Sequence, residues 1–322
     1  MSDTPSVDLS IIIVSWNVVD LLRACLNSIS NDHALKLSNS DSGYIRTEII
    51  VVDSLSQDTT TTMVASEFPY VKLIAQSENV GFTKGNNIGF EQAVGRFLML
   101  LNPDTEIIGD ALSRMVDYIE KHQNVGIIGP HTLNTDGTTQ SSRRRFPTIA
   151  TGFFESTWLQ NWGPESILDR FYVADKPDDG VYDVDWVQGS ALLARRQLYQ
   201  DIGGLDTEFV MYSEELDWCK RAKDAGWRVV YFGEAHIFHH GGKSSEQSGA
   251  RKHILFQQSK LRYFFKYHGN FVATVLRIFL LSSYLCQILI ESAKSALGSK
   301  RQMRNERIRT YWQVVRSGLR VS

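Results

Sequence analysis

At 322 residues, with 43% hydrophobic and 22% charged residues, the chain has the composition of a globular protein with a substantial core, one large domain or two smaller ones. The net charge of −2 hides an asymmetry, because residues 251–322 carry 14 Lys and Arg against Glu291 and Glu306, leaving 20 basic and 34 acidic side chains in the first 250. An acidic body with a basic tail points the tail at an anionic surface, and three distant cysteines (Cys25, Cys219, Cys286) with no CxxC pair argue against a disulfide scaffold and for a reducing compartment.

Residues 1–8 have neither a basic start nor an apolar stretch, so no export signal is expected. Leu9 to Ser15 is a continuous, largely β-branched run, which predicts a strand buried on both faces. Leu21, Leu22, Cys25, Leu26 and Ile29 then recur at helical spacing. Further strands are expected at 48–53, 71–75, 96–101 and 125–129, with helices at 56–68, 83–94 and 110–122 between them. That alternation predicts a mostly parallel sheet with helices on both faces. Residues 134–183 lose the pattern and read as a long functional loop or a broken subdomain. A strand at 186–194, helices at 195–201 and 214–225, and a short strand at 228–231 follow. Long helices are expected at 250–267, 271–297 and 301–317.

Some segments carry chemistry. The apolar run Met99-Leu100-Leu101 stops at Asn102-Pro103-Asp104, which delivers an amide and a carboxylate oxygen to a strand's carboxyl end, where open α/β sheets bind ligands. Such oxygens suit a hard divalent cation, although the triplet is also ordinary turn chemistry. Asp53 ends the second strand and reads either as a ribose or base acceptor or as part of a helix-capping cluster with Ser54, Ser56 and Asp58. Gly81, Gly85 and Gly89 match neither dinucleotide nor P-loop patterns; their spacing of four suggests close helix packing or backbone approach to a ligand. Asn86 and Asn87 then face a site or solvent. Glu214-Glu215-Leu216-Asp217 opens a helix, where acids suit the helix dipole but one could serve as a general base. His236, His239 and His240 sit after a strand in a Gly-rich turn, as surface residues or as metal ligands with a distant carboxylate.

Taken in order, these segments resemble the inverting family-2 glycosyltransferases of GT-A fold, especially the rhamnosyltransferase-like branch. The resemblance covers about residues 8–268. It rests on Ile13-Val14-Ser15-Trp16-Asn17, Val51-Val52-Asp53-Ser54, Glu78-Asn79-Val80-Gly81-Phe82 through Asn86-Asn87, Leu100 to Asp104, Gly203-Gly204-Leu205-Asp206 through Asp217, and the turn His239-His240-Gly241-Gly242-Lys243-Ser244. It implies an α/β GT-A (nucleotide-diphospho-sugar transferase) domain over residues 1–268, with a basic, apolar-helix, membrane-associating extension over 269–322. It implies that Ser15, Asn17, Asp53, Asn79, Gly81, Lys84, Asn86, Asn102 and Asp104 bind a nucleotide-sugar. Asp104 and His239 would hold a divalent cation, Mg²⁺ or Mn²⁺, and Glu215, with Glu214 beside it, would be the catalytic base. Asn102 replaces the first Asp of a DxD motif, Ser54 a common Asn, and Glu215 the usual Asp, which leaves open which glutamate is the base.

The activity so implied is transfer of a sugar, L-rhamnose from dTDP-rhamnose, to a polyprenyl-diphosphate-linked saccharide in cell-surface polysaccharide synthesis. The alternatives are a non-catalytic carbohydrate-binding or assembly subunit and a sugar nucleotidyltransferase. Arg143, Arg144 and Arg145 read as a clamp for donor or acceptor diphosphate, or as a solvated charge run. Residues 271–290 are apolar but carry a polar stripe, Asn270, Thr274, Arg277, Gln287, Glu291 and Lys294. With the cations that follow, this suits peripheral attachment to the anionic inner face of the cell membrane from the cytoplasm. A membrane span, or packing on the body or on a second copy as in a homodimer, are the other readings; nucleic acid is not an expected partner.

Overall fold

The computed structural model describes residues 7–36, 44–241, 249–298 and 300–321. Residues 1–6 of the N-terminal segment and Gly242, Lys243 and Ser244 of the closing turn lie outside the described residues. The chain forms two compact units: Met1–Phe146, Tyr172–Glu208 and Glu214–Ser244 make the first, and Pro147–Phe171, Phe209–Ser213 and Ser245–Ser322 the second.

In the first unit the elements run β1 (Leu9–Ser15), α1 (Val19–Ile29), β2 (Leu35–Lys36), β3 (Ile45–Asp53), α2 (Thr60–Glu67), β4 (Lys72–Ala75), α3 (Gly81–Gln92), β5 (Phe97–Leu101), β6 (Thr105–Ile107), α4 (Ala111–Lys121), β7 (Val125–Leu133), β8 (Thr139–Gln140) and β9 (Arg143–Arg144). After α5 (Ile149–Phe154) and α6 (Glu165–Tyr172) come β10 (Val181–Val184), β11 (Trp186–Val187), β12 (Ala191–Arg195), α7 (Arg196–Ile202), α8 (Glu214–Asp224) and β13 (Arg228–His239). The main sheet runs β10-β13-β7-β12-β5-β1-β3-β2, with β4 on β3, β6 on β13 and β8 on β7. β1 lies parallel between β3 and β5, and β12 is antiparallel to both β5 and β7, so the sheet is mixed but mostly parallel around β1.

The unbroken apolar run of β1 has a direct cause. Alternate side chains point to opposite faces of a strand, so Ile11 and Ile13 enter one core with Leu22, Leu26 and Met115, while Ile12 and Val14 enter the other with Phe90, Leu192 and Trp218. Both faces are covered by helices, and the polar Ser10 within the strand is accommodated by its hydroxyl donating to Glu48 Oε1 and accepting the Gly95 N–H. The glycine spacing resolves as close packing: a Cβ on Gly85 would meet Val14 Cγ1 at 2.8 Å, and one on Gly89 would meet Ile12 Cγ2 at 2.3 Å.

Two strand expectations need correction. The stretch 186–194 is two short strands, β11 and β12, interrupted at 188–190. The strand expected at 228–231 runs on to His239, because a bulge between Phe232 and His236 resets its pairing with β7 before it also takes up β6. His236 and His239 therefore lie in a strand, not in a turn. The patternless stretch 134–183 folds into short strands and helices shared between the two units.

The second unit holds α5, most of α6, α9 (Gly249–Ala296) and α10 (Arg301–Ser317). α9 is broken at Gly269, whose φ of 85° and ψ of 166° a side-chain-bearing residue would resist. The expected domain boundary after residue 268 falls at this break, inside the second unit. The two arms of α9 are joined where His253 Nδ1 and Tyr284 Oη lie 3.2 Å apart, and α10 returns along the second arm. Arg277 Nε donates to the Gly318 carbonyl at 2.6 Å, Arg304 pairs with Glu291 at 2.8 Å, and Ser295 Oγ donates to Asn305 Oδ1. Arg277 and Glu291 of the expected polar stripe thus turn inward, whereas Phe271, Ile278 and Leu289 are 81%, 60% and 71% exposed.

Gly89→Ala should lower stability by roughly 1–3 kcal/mol through overpacking against Ile12. Denaturant unfolding of Gly89→Ala, Ile12→Ala and the double variant checks this: the double variant should cost less than the sum of the two singles, and strict additivity would mean the helix and strand are not in contact.

Candidate functional site

The parallel ladder ends in a polar rim. Ser15 pairs in register with Asp53, and its hydroxyl donates to Asp53 Oδ1 at 3.1 Å. Ser56 donates twice more, from Oγ to Oδ1 at 2.5 Å and from its backbone N–H to Oδ2 at 2.9 Å. Asn17, in the left-handed region at φ 52°, accepts from the Gln57 N–H and donates its own N–H to Ser56 Oγ. Asp53 is thus buried and laces the loops after β1 and β3 together. Ser54 donates to Asn79 Oδ1 at 3.1 Å, and both accept the Gly81 N–H where α3 begins. Lys84 is exposed on α3. Asn86 is buried with its amide nitrogen on the Phe82 carbonyl, so it faces neither solvent nor an open edge. Asn87 exchanges two bonds with the backbone of Leu205, at 2.8 and 2.9 Å.

Just past the end of β5, Asp104 meets His239, the last residue of β13. His239 Nε2 lies 3.3 Å from Asp104 Oδ1 and 3.5 Å from Asn102 Nδ2. On its other side His239 Nδ1 is 2.6 Å from Gln140 Oε1. The amide orientation of Gln140 follows from its nitrogen donating to Asn134 Oδ1 at 3.0 Å, so its oxygen accepts the Nδ1 proton and leaves the Nε2 lone pair facing Asp104. Two lone-pair-bearing atoms at that distance repel unless a proton or cation lies between them. Asn102 Oδ1 is buried beside them with no protein partner among the described residues. This donor set fits a divalent cation: a carboxylate, an imidazole held by an outer amide, and an orphaned amide oxygen. Among the described residues no three His, Cys, Asp or Glu side chains converge, so further ligands would come from solvent or a bound anion. His240 is engaged elsewhere, with Glu106 at 2.7 Å and Thr135 at 3.0 Å, and His236 packs against His131 with ring centroids 5.1 Å apart.

The acid pair opens α8 directly after Tyr212 and Ser213, two residues in the left-handed region at φ 69° and 65°. Such backbone is costly without glycine and is tolerated where the surroundings impose it. Glu214 is only 4% exposed. Burial, and then the adjacent Glu215, push its carboxyl well above the usual carboxylate range. Burial also raises Glu215, but backbone N–H groups and the Arg144 guanidinium oppose the rise. The Gly189 N–H approaches Glu215 Oε1 at 3.4 Å, and the neighbouring Ser190 carbonyl accepts the Asn102 N–H at 2.8 Å. Two consecutive residues therefore tie the acid pair to the Asn102–Asp104 cradle. Gln188 Oε1, Ser190 Oγ, Glu214 Oε2 and Glu215 Oε2 are buried without partners among the described residues, as expected where a ligand's polar groups complete the set.

Asp217 ion-pairs with Arg221 at 2.8 Å, and that arginine donates to the carbonyls of Ile202 and Gly204 while Trp218 donates to Gly203. The Gly203-Gly204-Leu205 segment is thus a clasp between α8 and Asn87. The arginine triplet is not a shared clamp. Arg143 is buried, ion-paired with Asp178 at 2.8 Å and stacked on Tyr231. Arg144 lies over Tyr172 and Trp186, and Arg145 approaches Asp185 at 3.8 Å. Strand alternation in β9 sends the first two to opposite faces.

Comparison with known proteins is consistent in kind. Residues 10–176 match the family described as Glycosyl transferase family 2. The chain is similar to an N-acetylglucosaminyl-diphospho-decaprenol L-rhamnosyltransferase of Mycobacterium tuberculosis, 24% identical over 240 residues, covering 71% of this chain and 78% of that protein. It is also similar to the rhamnosyltransferase WbbL of Escherichia coli K12, 27% identical over 197 residues, covering 57% and 69% respectively. Among solved structures, the mannosyltransferase PcManGT from Pyrobaculum calidifontis, in complex with GDP-Man and Mn²⁺, shares the fold. The TM-score is 0.56 at 14% identity, over 97% of this chain and 86% of that one. The fold is accordingly GT-A-like.

The raised carboxyl of Glu214 has a stability consequence with a definite sign. Between its unfolded value near 4.5 and its raised folded value, the native state keeps a proton that the unfolded state releases, so this group's contribution is lost as pH rises through that window. Glu214→Gln should therefore leave the melting temperature near wild type at low pH and raise it above wild type at about pH 8. A thermal-unfolding series across pH checks the prediction, and a variant less stable at high than at low pH, relative to wild type, would contradict it.

Proposed function

This chain belongs to glycosyl transferase family 2, and we propose that it transfers L-rhamnose from dTDP-rhamnose, with inversion, to a polyprenyl-diphosphate-linked saccharide. The carrying observation is that Gly189 and Ser190 join the Asp104–His239–Asn102 cradle to the Glu214–Glu215 pair, so a leaving group and an attacking hydroxyl can be served at one rim. The names of the M. tuberculosis and E. coli relatives support rhamnose as the sugar, and the first of them supports the lipid diphosphate.

In this reading Asp53, with Ser15, takes the base or ribose of the donor at the ends of β1 and β3. Asp104 and His239 Nε2, with the Asn102 amide beside them, would hold Mg²⁺ or Mn²⁺, which supplies Lewis-acid neutralisation of the departing diphosphate. Gln140 fixes the His239 tautomer so that Nε2 remains available. Glu215 accepts the proton of the acceptor hydroxyl as that oxygen attacks the anomeric carbon from the face opposite the diphosphate, and a single displacement inverts the centre. Glu215 is preferred to Glu214 on electrostatic grounds. Arg144 and backbone N–H groups favour its ionised form, while burial and the adjacent Glu215 favour the neutral form of Glu214. Arg144 and Arg145 remain candidates for contacts to diphosphate; Arg143 is committed to Asp178.

The described chain has one helix, α9, long and apolar enough to cross a membrane. We read it as lying on the cytoplasmic face instead, with Phe271, Ile278 and Leu289 turned to lipid. α10 lies along this arm, and its Arg301, Arg307 and Arg309 belong among headgroups.

A donor screen that reads nucleoside diphosphate release with Mg²⁺ or Mn²⁺ tests the catalytic reading. dTDP-rhamnose with a lipid-linked acceptor should be turned over, Glu215→Gln should lose about 10²–10⁴-fold in rate while still binding donor, and Glu214→Gln should lose far less. Undiminished turnover by Glu215→Gln would sink the base assignment. For attachment, the Phe271→Asp/Leu289→Asp protein should stop floating with anionic vesicles; unchanged flotation would mean that the exposed face is not the membrane contact.

A further inference from the structure

Most of the large apolar side chains left exposed among the described residues belong to the second unit. On the second arm of α9 they form one stripe, Phe271, Val275, Ile278, Leu285 and Leu289, spaced by three, four or seven residues. At about 100° per residue, Phe279 and Ser283 lie on one flank of that stripe and Arg277 on the other. Each flank is occupied. Arg277 bonds the Gly318 carbonyl that follows α10. On the opposite side Phe279 meets Phe153 of α5 with ring centroids 5.1 Å apart, and Ser283 Oγ accepts the Trp158 indole N–H at 3.2 Å. The stretch 153–158 and α10 thus hold α9 from two sides and leave the stripe open between them.

Four residues beyond Trp158, the Trp162 side chain is 82% exposed, although tryptophan has among the largest apolar surfaces to hide. The backbone beneath it is well held. The Thr157 side chain caps the 3₁₀ turn Trp158–Asn161, and the N–H groups of Trp162 and Gly163 both bond the Leu159 carbonyl at 2.9 Å. Gly163 is pressed against Phe154, whose Cδ1 a Cβ at that position would meet at 2.4 Å. The turn is folded in on Phe154 and the indole is left outside. Its neighbours Gln160, Asn161, Gly163 and Pro164 carry no charge. An indole is apolar over its rings and has one N–H donor, and it gathers at the headgroup level of membranes. A lipid surface suits the three features of this unit together: the stripe, the flanking indole, and the cations Arg301, Arg307 and Arg309 of α10, which anionic headgroups attract.

We infer that Trp162 is a second membrane contact, an indole set at the headgroup level to one side of the α9 stripe. Two stretches of chain more than a hundred residues apart then hold the second unit to lipid. This rests on the reading of α9 as lying on the membrane. A single helix in an interface is free to roll about its axis, and an anchor beside it removes that freedom.

Cys286 is exposed whereas Cys25 and Cys219 are buried, so the full-length Cys286→Ser protein accepts a label at one introduced cysteine. An environment-sensitive fluorophore is placed through Trp162→Cys, through Phe271→Cys, or through Tyr70→Cys in the first unit as a reference. The vesicles are equal parts phosphatidylcholine and phosphatidylglycerol. Emission at 162 and at 271 should shift to the blue and become shielded from iodide, with no change at 70. Unlabelled Trp162→Ala should bind the vesicles about ten-fold more weakly. That factor should be the same at low and high salt, because no charge is removed, and Trp162→Phe should recover most of the loss. If a Trp162 variant fails to fold, a label through Asn161→Cys, which is exposed beside the intact indole, reads the same contact. A shift at 271 without one at 162, or full binding by Trp162→Ala, overturns the inference and leaves attachment through α9 standing. Shifts at neither position overturn both. A shift at 162 that appears without vesicles as protein concentration rises marks a contact between copies and also overturns the inference.

Discussion

The register of β1 between β3 and β5 is the constraint on which the rim depends. Ser15 stands opposite Asp53, and Ile12 opposite Leu100, so three strands stop at one edge and Asn102 emerges there. A slip of one residue would turn every β1 side chain to the other face and put Ile12 and Ile13 into the wrong cores. Gly85 and Gly89 reinforce the register from outside, since α3 can sit this close to Val14 and Ile12 only without side chains at those positions. From that edge the constraint passes to the antiparallel side of the sheet. The Asn102 N–H bonds the Ser190 carbonyl, and Gly189 reaches the first turn of α8.

The rim is held at an energetic cost that the core offsets. Glu214 sits in a protein environment that favours its neutral form, two left-handed residues precede it, and several buried oxygens have no partner among the described residues. Each is unfavourable alone, and they share one locality. Local breaches of the usual rules that cluster in this way are what a site organised for a ligand looks like before the ligand arrives. The two glutamates show why adjacency matters: one cannot ionise easily beside the other, so their proton affinities are driven apart and their roles can differ.

Much of this was legible in the sequence for a plain reason. Parallel strands buried on both faces read as apolar runs, and the polar residues that end them (Asp53, Asn102, Asp104) mark the rim. The glycine spacing also carried its meaning, as packing of α3. What stayed hidden depends on contacts between distant residues. Gln140 supports His239 from 99 positions away, and nothing in its neighbours signals that. The Gly189-Ser190 break in an otherwise apolar run was a visible cue to the link between cradle and acid pair, but the run's hydrophobicity hid it. Arg143 looked like one of three equivalent cations until β9 turned it inward to Asp178. The polar stripe of α9 was real, but Arg277 bonds the Gly318 carbonyl that follows α10 and Glu291 pairs with Arg304, so apolar side chains such as Phe271 and Leu289 are left outside.

The central claim is that the Asp104–His239 cradle and the Glu214–Glu215 pair serve one reacting sugar. A crystal structure with Mn²⁺ and a non-transferable dTDP-rhamnose analogue measures this most directly. The account predicts the diphosphate and the ion between Asp104 and His239, the base beside Asp53, and the anomeric carbon presented toward Glu215 with room for an acceptor hydroxyl between them. A nucleotide bound with its diphosphate away from Asp104, or a sugar turned from Glu215 with solvent on that side, would contradict it.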